Sequence, residues 1–302
     1  MDSDHNAEGH RMRFGYLSLN SLEGIRPDRL ASELEARGFD SVWMPEHSHI
    51  PTSLATPYPA GGPLPEGYWR MMDPFVSLAM AAKDTTTIEL CTGICLLLEH
   101  DVLDLACTAA TLDALSDGRL RLGVGVGWNE EELANHRPDL AFTMRYSAMR
   151  ERVAALRTAW RDEDAAFDGR WDRYESSWVY PKPANGTIPI ALGNAGPVGI
   201  THAAEYADEW CPIDASMLND GRKPDVAGAI DLFRTKAADA GRNPDDIPIS
   251  IFTMGNRPER IADYAALGVD RVVIMPPTMD LHSEDITMRH IDAMTEVMAD
   301  LK

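Results

Sequence analysis

Eight short apolar runs alternate with eight amphipathic segments along this chain, and that alternation constrains the fold more than any other feature. The runs expected as strands are Phe14–Leu19, Asp40–Met44, Ile88–Leu97, Arg119–Gly127, Ile188–Leu192, Glu209–Ile213, Pro248–Thr253 and Arg271–Met275. Helical spacing marks Pro27–Arg37, Asp73–Lys83, Val102–Leu115, Met144–Trp160, Pro197–Tyr206, Asp225–Ala240, Pro258–Leu267 and Thr287–Leu301. Strand–helix alternation implies parallel strands joined by right-handed crossovers. Near-continuous apolar runs such as Ile88–Leu97 are what a strand covered on both faces requires. Eight such units in 302 residues favour a closed α/β barrel, a (β/α)8 TIM barrel, over an open doubly wound sheet. Residues 13–302 are therefore assigned to one barrel domain, and the polar residues 1–12 to a disordered leader with no apolar h-region.

Two stretches break the rhythm. Glu46–Met72 is long and rich in Pro and Gly, and a loop of that length in a compact domain usually forms a lid or a binding wall. Arg161–Thr187 carries two Trp and two Tyr and is expected as an ordered insertion. The architecture predicted is thus a barrel with an insertion and long loops at the C-terminal face of its strands.

Charge narrows the partners. A formal net charge of −20 repels phosphate backbones and anionic lipid, which argues against nucleic acid and membrane surfaces. No run of 18 apolar residues offers a membrane span. The four cysteines form no CxxC pair, and Cys91 and Cys95 sit in an apolar run as ordinary buried thiols. Sparse cysteine in a large core fits a reducing cytoplasm. A small-molecule substrate is the expected partner.

In α/β barrels the chemistry lies at the C-terminal ends of the strands and in the loops after them. That rule selects Glu46, His47 and His49 after the second strand, Thr92–Cys95 late in the third, Gly125–Glu131 after the fourth and Gly193–Gly199 after the fifth. In the fourth strand Gly123, Gly125 and Gly127 fall on one face, because strand side chains alternate. Such a face admits either a planar ring or the close packing of a neighbouring strand. A Rossmann loop is less well supported, since the spacing is GxGxG and no helix-opening turn follows directly. Gly193-Asn194-Ala195-Gly196-Pro197 is a Gly-rich turn opening a helix, which presents backbone N–H groups to a phosphate. Glu46, His47 and His49 do not alternate as a metal set would need, so no metal site is assigned. Proton transfer by His47 or Glu46 is the expectation. His100, His136, His202 and His290 are expected as surface or capping residues. Arg145 and Arg150 are candidates to meet a polyanionic tail.

Taken together these residues resemble the luciferase-like monooxygenase family, in the subgroup of probable F420-dependent oxidoreductases. The resemblance runs from about Arg13 to Leu301. It rests on GFDSVWMPEHSHIP at Gly38–Pro51, YWRMMDPFVSLAMAA at Tyr68–Ala82 and the long block from Ile88 to Glu132. WVYPKP at Trp178–Pro183, PIALGNAGP at Pro189–Pro197 and AEYADEWCPI at Ala204–Ile213 extend it. It implies hydride transfer between coenzyme F420 and an organic substrate, with FMN and dioxygen as the alternative, and a homodimer. It implies a non-proline cis peptide against the cofactor ring, matching Gly93–Ile94. His47 would be the proton donor or acceptor, oriented by Glu46. Thr92, Gly93, Ile94, Gly125, Gly127, Trp128 and Asn129 would surround the ring, and Gly193, Asn194, Ala195 and Gly196 the phosphate. Asn194 stands where the family usually has a second glycine. No cluster suited to a sugar phosphate is present, so glucose-6-phosphate activity is not assigned.

Overall fold

A computed structural model describes residues 11–217, 224–254 and 257–301. The segment expected as a leader lies outside these residues up to position 10. The elements are, in order, β1 (Arg13–Leu17), α1 (Pro27–Ala36), β2 (Ser41–Met44), α2 (Pro74–Lys83), β3 (Glu89–Thr92), β4 (Cys95–Leu96), α3 (Val102–Leu115), β5 (Leu120–Gly125), α4 (Glu130–His136), α5 (Arg145–Arg161), β6 (Ala165–Asp168) and β7 (Arg173–Ser177). They continue with β8 (Ile190–Leu192), α6 (Pro197–Tyr206), β9 (Glu209–Trp210), α7 (Val226–Asp239), β10 (Ser250–Thr253), α8 (Pro258–Ala266), β11 (Arg271–Ile274) and α9 (Glu284–Asp300).

The barrel strands pair in parallel in the order β10-β11-β1-β2-β3-β5-β8-β9. Bridges Trp210–Ile249 and Ile213–Phe252 bring the two ends of that order together. The fold is therefore a (β/α)8 barrel, as the alternation predicts. The insertion is ordered: β6 and β7 form an antiparallel hairpin outside the barrel.

Local sequence sets the element ends. Pro27 occupies the first turn of α1, and Gly38 takes a positive φ of 79° just past its end. Asp73 accepts the Val76 N–H at the start of α2, and Asp101 accepts from Leu103 and Asp104 at the start of α3. Side chains inside the barrel, among them Leu17, Trp43, Cys91, Ala191, Cys211, Phe252 and Val273, form a core separate from the larger one between strands and helices. At the N-terminal end, Arg271 and Glu209 are fully buried, and Arg271–Glu89 and Arg121–Glu209 ion pairs close the floor. That end is stabilising, which leaves the C-terminal mouth for function.

Three expectations are corrected. The apolar run Ile88–Leu97 is not one strand; it divides into β3 and β4 around Gly93–Ile94, whose peptide bond is cis. The glycine strand ends at Gly125, and Gly127 has φ 72°, so Gly127 does not share a strand face with Gly123 and Gly125. A short helix, α4, lies between β5 and the long helix α5, where a loop was expected.

Candidate functional site

The glycines of β5 decide how the mouth is built. A β-carbon on Gly123 would collide with the Thr92 carbonyl oxygen, and one on Gly125 with Cδ1 of Ile94. The two missing side chains therefore make room for the bulge between β3 and β4, not directly for a ring. Thr92 is fully buried and fixes that bulge, donating from Oγ1 to the Gly123 carbonyl at 2.7 Å. Ile94 also lies against Gly193, with Cγ2 2.8 Å from where a β-carbon would stand. Gly93 and Ile94 thus form the inner wall of the mouth, held between β5 and the turn after β8.

Above this wall lies a cavity of about 400 Å³. Its surface is mostly apolar and aromatic, with Leu17, Ile94, Trp128, Phe142, Tyr146 and Met275 among the lining residues. The loop 46–72 supplies its outer wall, as its length suggests. Tyr68 lies 5.4 Å from the His47 ring and 6.3 Å from Trp128, and Tyr58 packs on both Tyr68 and Trp128.

The polar groups of the cavity are few. His47 enters from the end of β2 with its side chain only 7% exposed. Its Nδ1 lies 2.8 Å from Oε2 and 3.0 Å from Oε1 of Glu132, on α4. Glu132 is itself fully buried. This corrects the expected pairing of His47 with Glu46. Glu46 points away from His47: Oε2 accepts the Leu96 N–H at 2.6 Å and Oε1 lies 2.8 Å from His100 Nε2. Burial opposes the Glu46 charge, yet the hydrogen bond and charge of His100 and the Leu96 N–H hold its carboxyl below the usual range. Burial likewise opposes charge on His100, and Glu46 outweighs it and raises the imidazole. His100, expected as a surface or capping residue, is partly exposed and braces Glu46. Glu46, Cys95 and His100 place ligand atoms within 4.8 Å of one another. Both Glu46 oxygens are already bonded and burial keeps the Cys95 thiol well up, so we read the trio as hydrogen-bonded support for the bulge.

Arg145 and Asn194 also line the cavity. Arg145 donates from Nη1 to the Phe142 carbonyl at 3.0 Å and stacks on the Phe142 ring at 3.9 Å. Its Nε is buried with no partner among the described residues. Arg150 turns elsewhere and pairs with Glu205. Asn194 Nδ2 is also buried with no partner among the described residues, and the Asn194 backbone carbonyl accepts the Trp210 indole N–H at 2.8 Å. Gly196 and Pro197 open α6 next to it. A guanidinium and an amide therefore border one cavity, and a helix N-terminus adjoins the amide, which would suit an anion.

Among the residues expected at the site, His47, Gly93, Ile94, Gly127, Trp128 and Asn194 line the cavity, as does Glu46 beneath its floor. Thr92, Gly125 and Gly193 act one layer behind, by holding Ile94. Asn129 is a helix cap: its side chain accepts the Glu132 N–H at 3.0 Å and so sets α4. Ala195 is buried within the turn. Sequence reasoning missed Glu132, Tyr58, Tyr68 and Phe142. One signal was present, because Asn129 followed three residues later by Glu132 is a helix-start pattern.

A model of the luciferase-like monooxygenases matches residues 12–271. This chain belongs to that family. An uncharacterised protein of Mycobacterium tuberculosis is 36% identical over 271 residues, covering 88% of this chain and 92% of that one. The F420-dependent hydroxymycolic acid dehydrogenase of the same organism is 28% identical over 255 residues, covering 83% of this chain and 62% of that one. Among solved structures, an F420-dependent secondary alcohol dehydrogenase in complex with an F420-acetone adduct has the same fold. Its TM-score is 0.75 at 18% identity, with 97% of this chain and 99% of that one covered. Among the described residues no helix is long and apolar enough to cross a membrane.

Proposed function

We propose that this family member is an oxidoreductase that moves a hydride between coenzyme F420 and a small, largely apolar organic substrate. The observation that carries the reading is His47, braced by the buried Glu132 and set in the wall of an apolar cavity beside the Gly93–Ile94 bulge. The fit to the cofactor rests on two buried polar atoms without partners among the described residues, Arg145 Nε and Asn194 Nδ2, on residues that line that cavity. A phosphate there would accept from both and from the backbone N–H groups of Asn194, Ala195 and Gly196, since the Gly193 N–H is taken by the Val124 carbonyl. Deazaflavin, when bound, gives or takes the hydride.

The chain's own residues do the rest. With Nδ1 committed to Glu132, Nε2 is the ring nitrogen of His47 left to exchange a proton with a substrate oxygen. Glu132 fixes the tautomer and stabilises the imidazolium when it forms. Tyr58, Tyr68 and Trp128 shield the reacting face from water and offer flat apolar walls to the substrate. The relative named as an F420-dependent dehydrogenase supports this choice of cofactor.

The test is a pair of fluorescence titrations of the purified protein, one with F420 and one with FMN, followed by a screen of alcohols and carbonyl compounds for F420 turnover. Micromolar F420 binding is the expected result. Micromolar FMN binding with none of F420 would sink the proposal and favour a flavin monooxygenase.

A further inference from the structure

Two outer helices of the barrel lack a charged solvent face. α9 shows what such a face looks like on a chain of net charge −20: it exposes Asp285, Arg289, Asp292, Glu296 and Asp300. On α2 the exposed positions are Val76, Ala79 and Lys83, and on α3 they are Asp104, Cys107, Thr108 and Leu115. Val76 is 64% and Leu115 80% exposed. The inward faces of both helices are apolar as well, with Phe75, Leu78, Leu105, Ala109 and Leu112 buried in the core. A helix that is apolar on both sides is one that is covered on both sides.

α2 and α3 pack side by side. A groove of about 550 Å³ is lined from both, with Val76, Ala79, Cys107, Thr111 and Leu115 among its walls, and Lys83 is the one charged residue lining it. The segment after β7 continues this surface along α3. The Tyr180 carbonyl accepts from Cys107 Sγ at 3.4 Å, and the Ala184 N–H donates to Asp113 at 2.9 Å. Trp178 and Tyr180 on that segment are 78% and 52% exposed.

We propose that this face is where a second copy of the chain docks, the groove of each copy receiving Val76 and Leu115 of the other. Shape selects a copy as the occupant. One patch carries both a groove and the protruding side chains that fill one, which is what a two-fold contact between identical surfaces requires. Charge selects this face. Two chains of net charge −20 repel each other and can meet closely only where the facing surfaces are nearly uncharged. Size permits a stable contact. α3 has 14 residues. It is therefore about 21 Å long, and with α2 beside it presents roughly 400 Å². The exposed parts of Trp178 and Tyr180 bring the patch to roughly 600 Å². Two copies would bury about 1,200 Å², which reaches the range of specific interfaces. The inference rests on the surface alone and holds whichever cofactor the mouth binds.

The test is sedimentation velocity of the full chain without cofactor, for the wild type, Val76→Glu, Leu115→Arg and Leu22→Glu. The wild type should be a dimer at micromolar concentration, and added salt should tighten it by screening the repulsion between the two acidic chains. Val76→Glu and Leu115→Arg each place two unpaired charges in the contact and should weaken it by about a hundredfold or more. Both positions are exposed in the single chain, so each variant should keep the wild-type circular dichroism spectrum. Leu22, 84% exposed on the loop after β1, lies off the patch, and Leu22→Glu should dimerise as the wild type does. Cys107 gives a second readout, because the other three cysteines are buried. Its thiol should react at least about tenfold more slowly with a maleimide in the wild type than in Val76→Glu or Leu115→Arg. A wild type that is monomeric at micromolar concentration overturns the proposal and points to a different apolar partner. A dimer that survives both substitutions, with Cys107 equally reactive in all four proteins, overturns it by placing the contact elsewhere.

Discussion

Nδ1 of His47 lies 2.8 Å from a carboxylate oxygen of Glu132, a residue carried by a different βα-loop and fully buried. The pair is made by two loops meeting over the barrel mouth, so neither partner can be replaced by a neighbour in sequence. His47→Ala should lower kcat by about 10²–10⁴, the usual share of a general acid or base. Glu132→Gln should lower kcat by about tenfold or more while leaving F420 affinity near the wild-type value, because Glu132 touches the histidine and not the cofactor end. The double variant should be no slower than His47→Ala. Additive losses would show that the two residues do not act as a unit.

The glycines of β5 make a graded prediction. At Gly125 an added methyl meets the end of the Ile94 side chain, which can turn aside. At Gly123 it meets the Thr92 carbonyl, which is backbone and hydrogen-bonded. Gly123→Ala should therefore cost more stability than Gly125→Ala, by roughly 1–3 kcal/mol for an overpacked core. Ile94→Val should restore part of the loss in Gly125→Ala and none in Gly123→Ala. Urea midpoints of the five proteins, wild type included, decide it, and equal losses at the two glycines would contradict the geometry.

Arg145 and Asn194 are predicted to hold the anionic end of the cofactor. Arg145→Gln should weaken F420 binding by about tenfold, the scale of a lost charge-assisted hydrogen bond of roughly 1.5–3 kcal/mol. It should also flatten the dependence of F420 affinity on salt, since a point of charge attraction has gone. Arg150→Gln, whose guanidinium is taken by Glu205, should leave the affinity near wild type and serves as the control. An Arg145→Gln protein that binds F420 as tightly as wild type at low salt would move the phosphate site elsewhere.

The sequence carried the barrel because burial on both faces leaves a pattern that one residue after another repeats. Ile88–Leu97 shows where such a pattern stops being informative. Apart from Glu89 at its start, every residue of that run is apolar or small enough to be buried, so periodicity could not show the break at Gly93–Ile94; only the resemblance pointed there. The glycines at 123 and 125 were visible as a missing face, and both readings of that face were open until Thr92 and Ile94 were seen to fill it. His47 was legible as a polar residue at a strand end. Its partner was not, because adjacency favoured Glu46, whereas the chain turns Glu46 under the bulge and brings Glu132 across from α4. Pairings between loops depend on the barrel's closure, and no local pattern records them.

Glu99 gives a stability prediction with a definite sign. Its carboxyl is at about 9 in the folded protein against 4.5 ordinarily, the result of burial and of the charges on Glu132 and Glu46. Between those two values the folded state holds a proton that the unfolded chain has released. The stabilising effect of that proton is complete below about 4.5, falls as pH rises by at most ~1.4 kcal/mol per unit, and is gone above about 9. Glu99→Gln removes this dependence and keeps the shape of the neutral acid. The variant should therefore match the wild type near pH 5 and exceed it increasingly towards about pH 9, with the gap read from urea midpoints across that range. A gap that does not widen with pH would mean that Glu99 is ionised in the folded protein. The negative charges of Glu46, Glu99 and Glu132 would then act on one another behind the cavity wall.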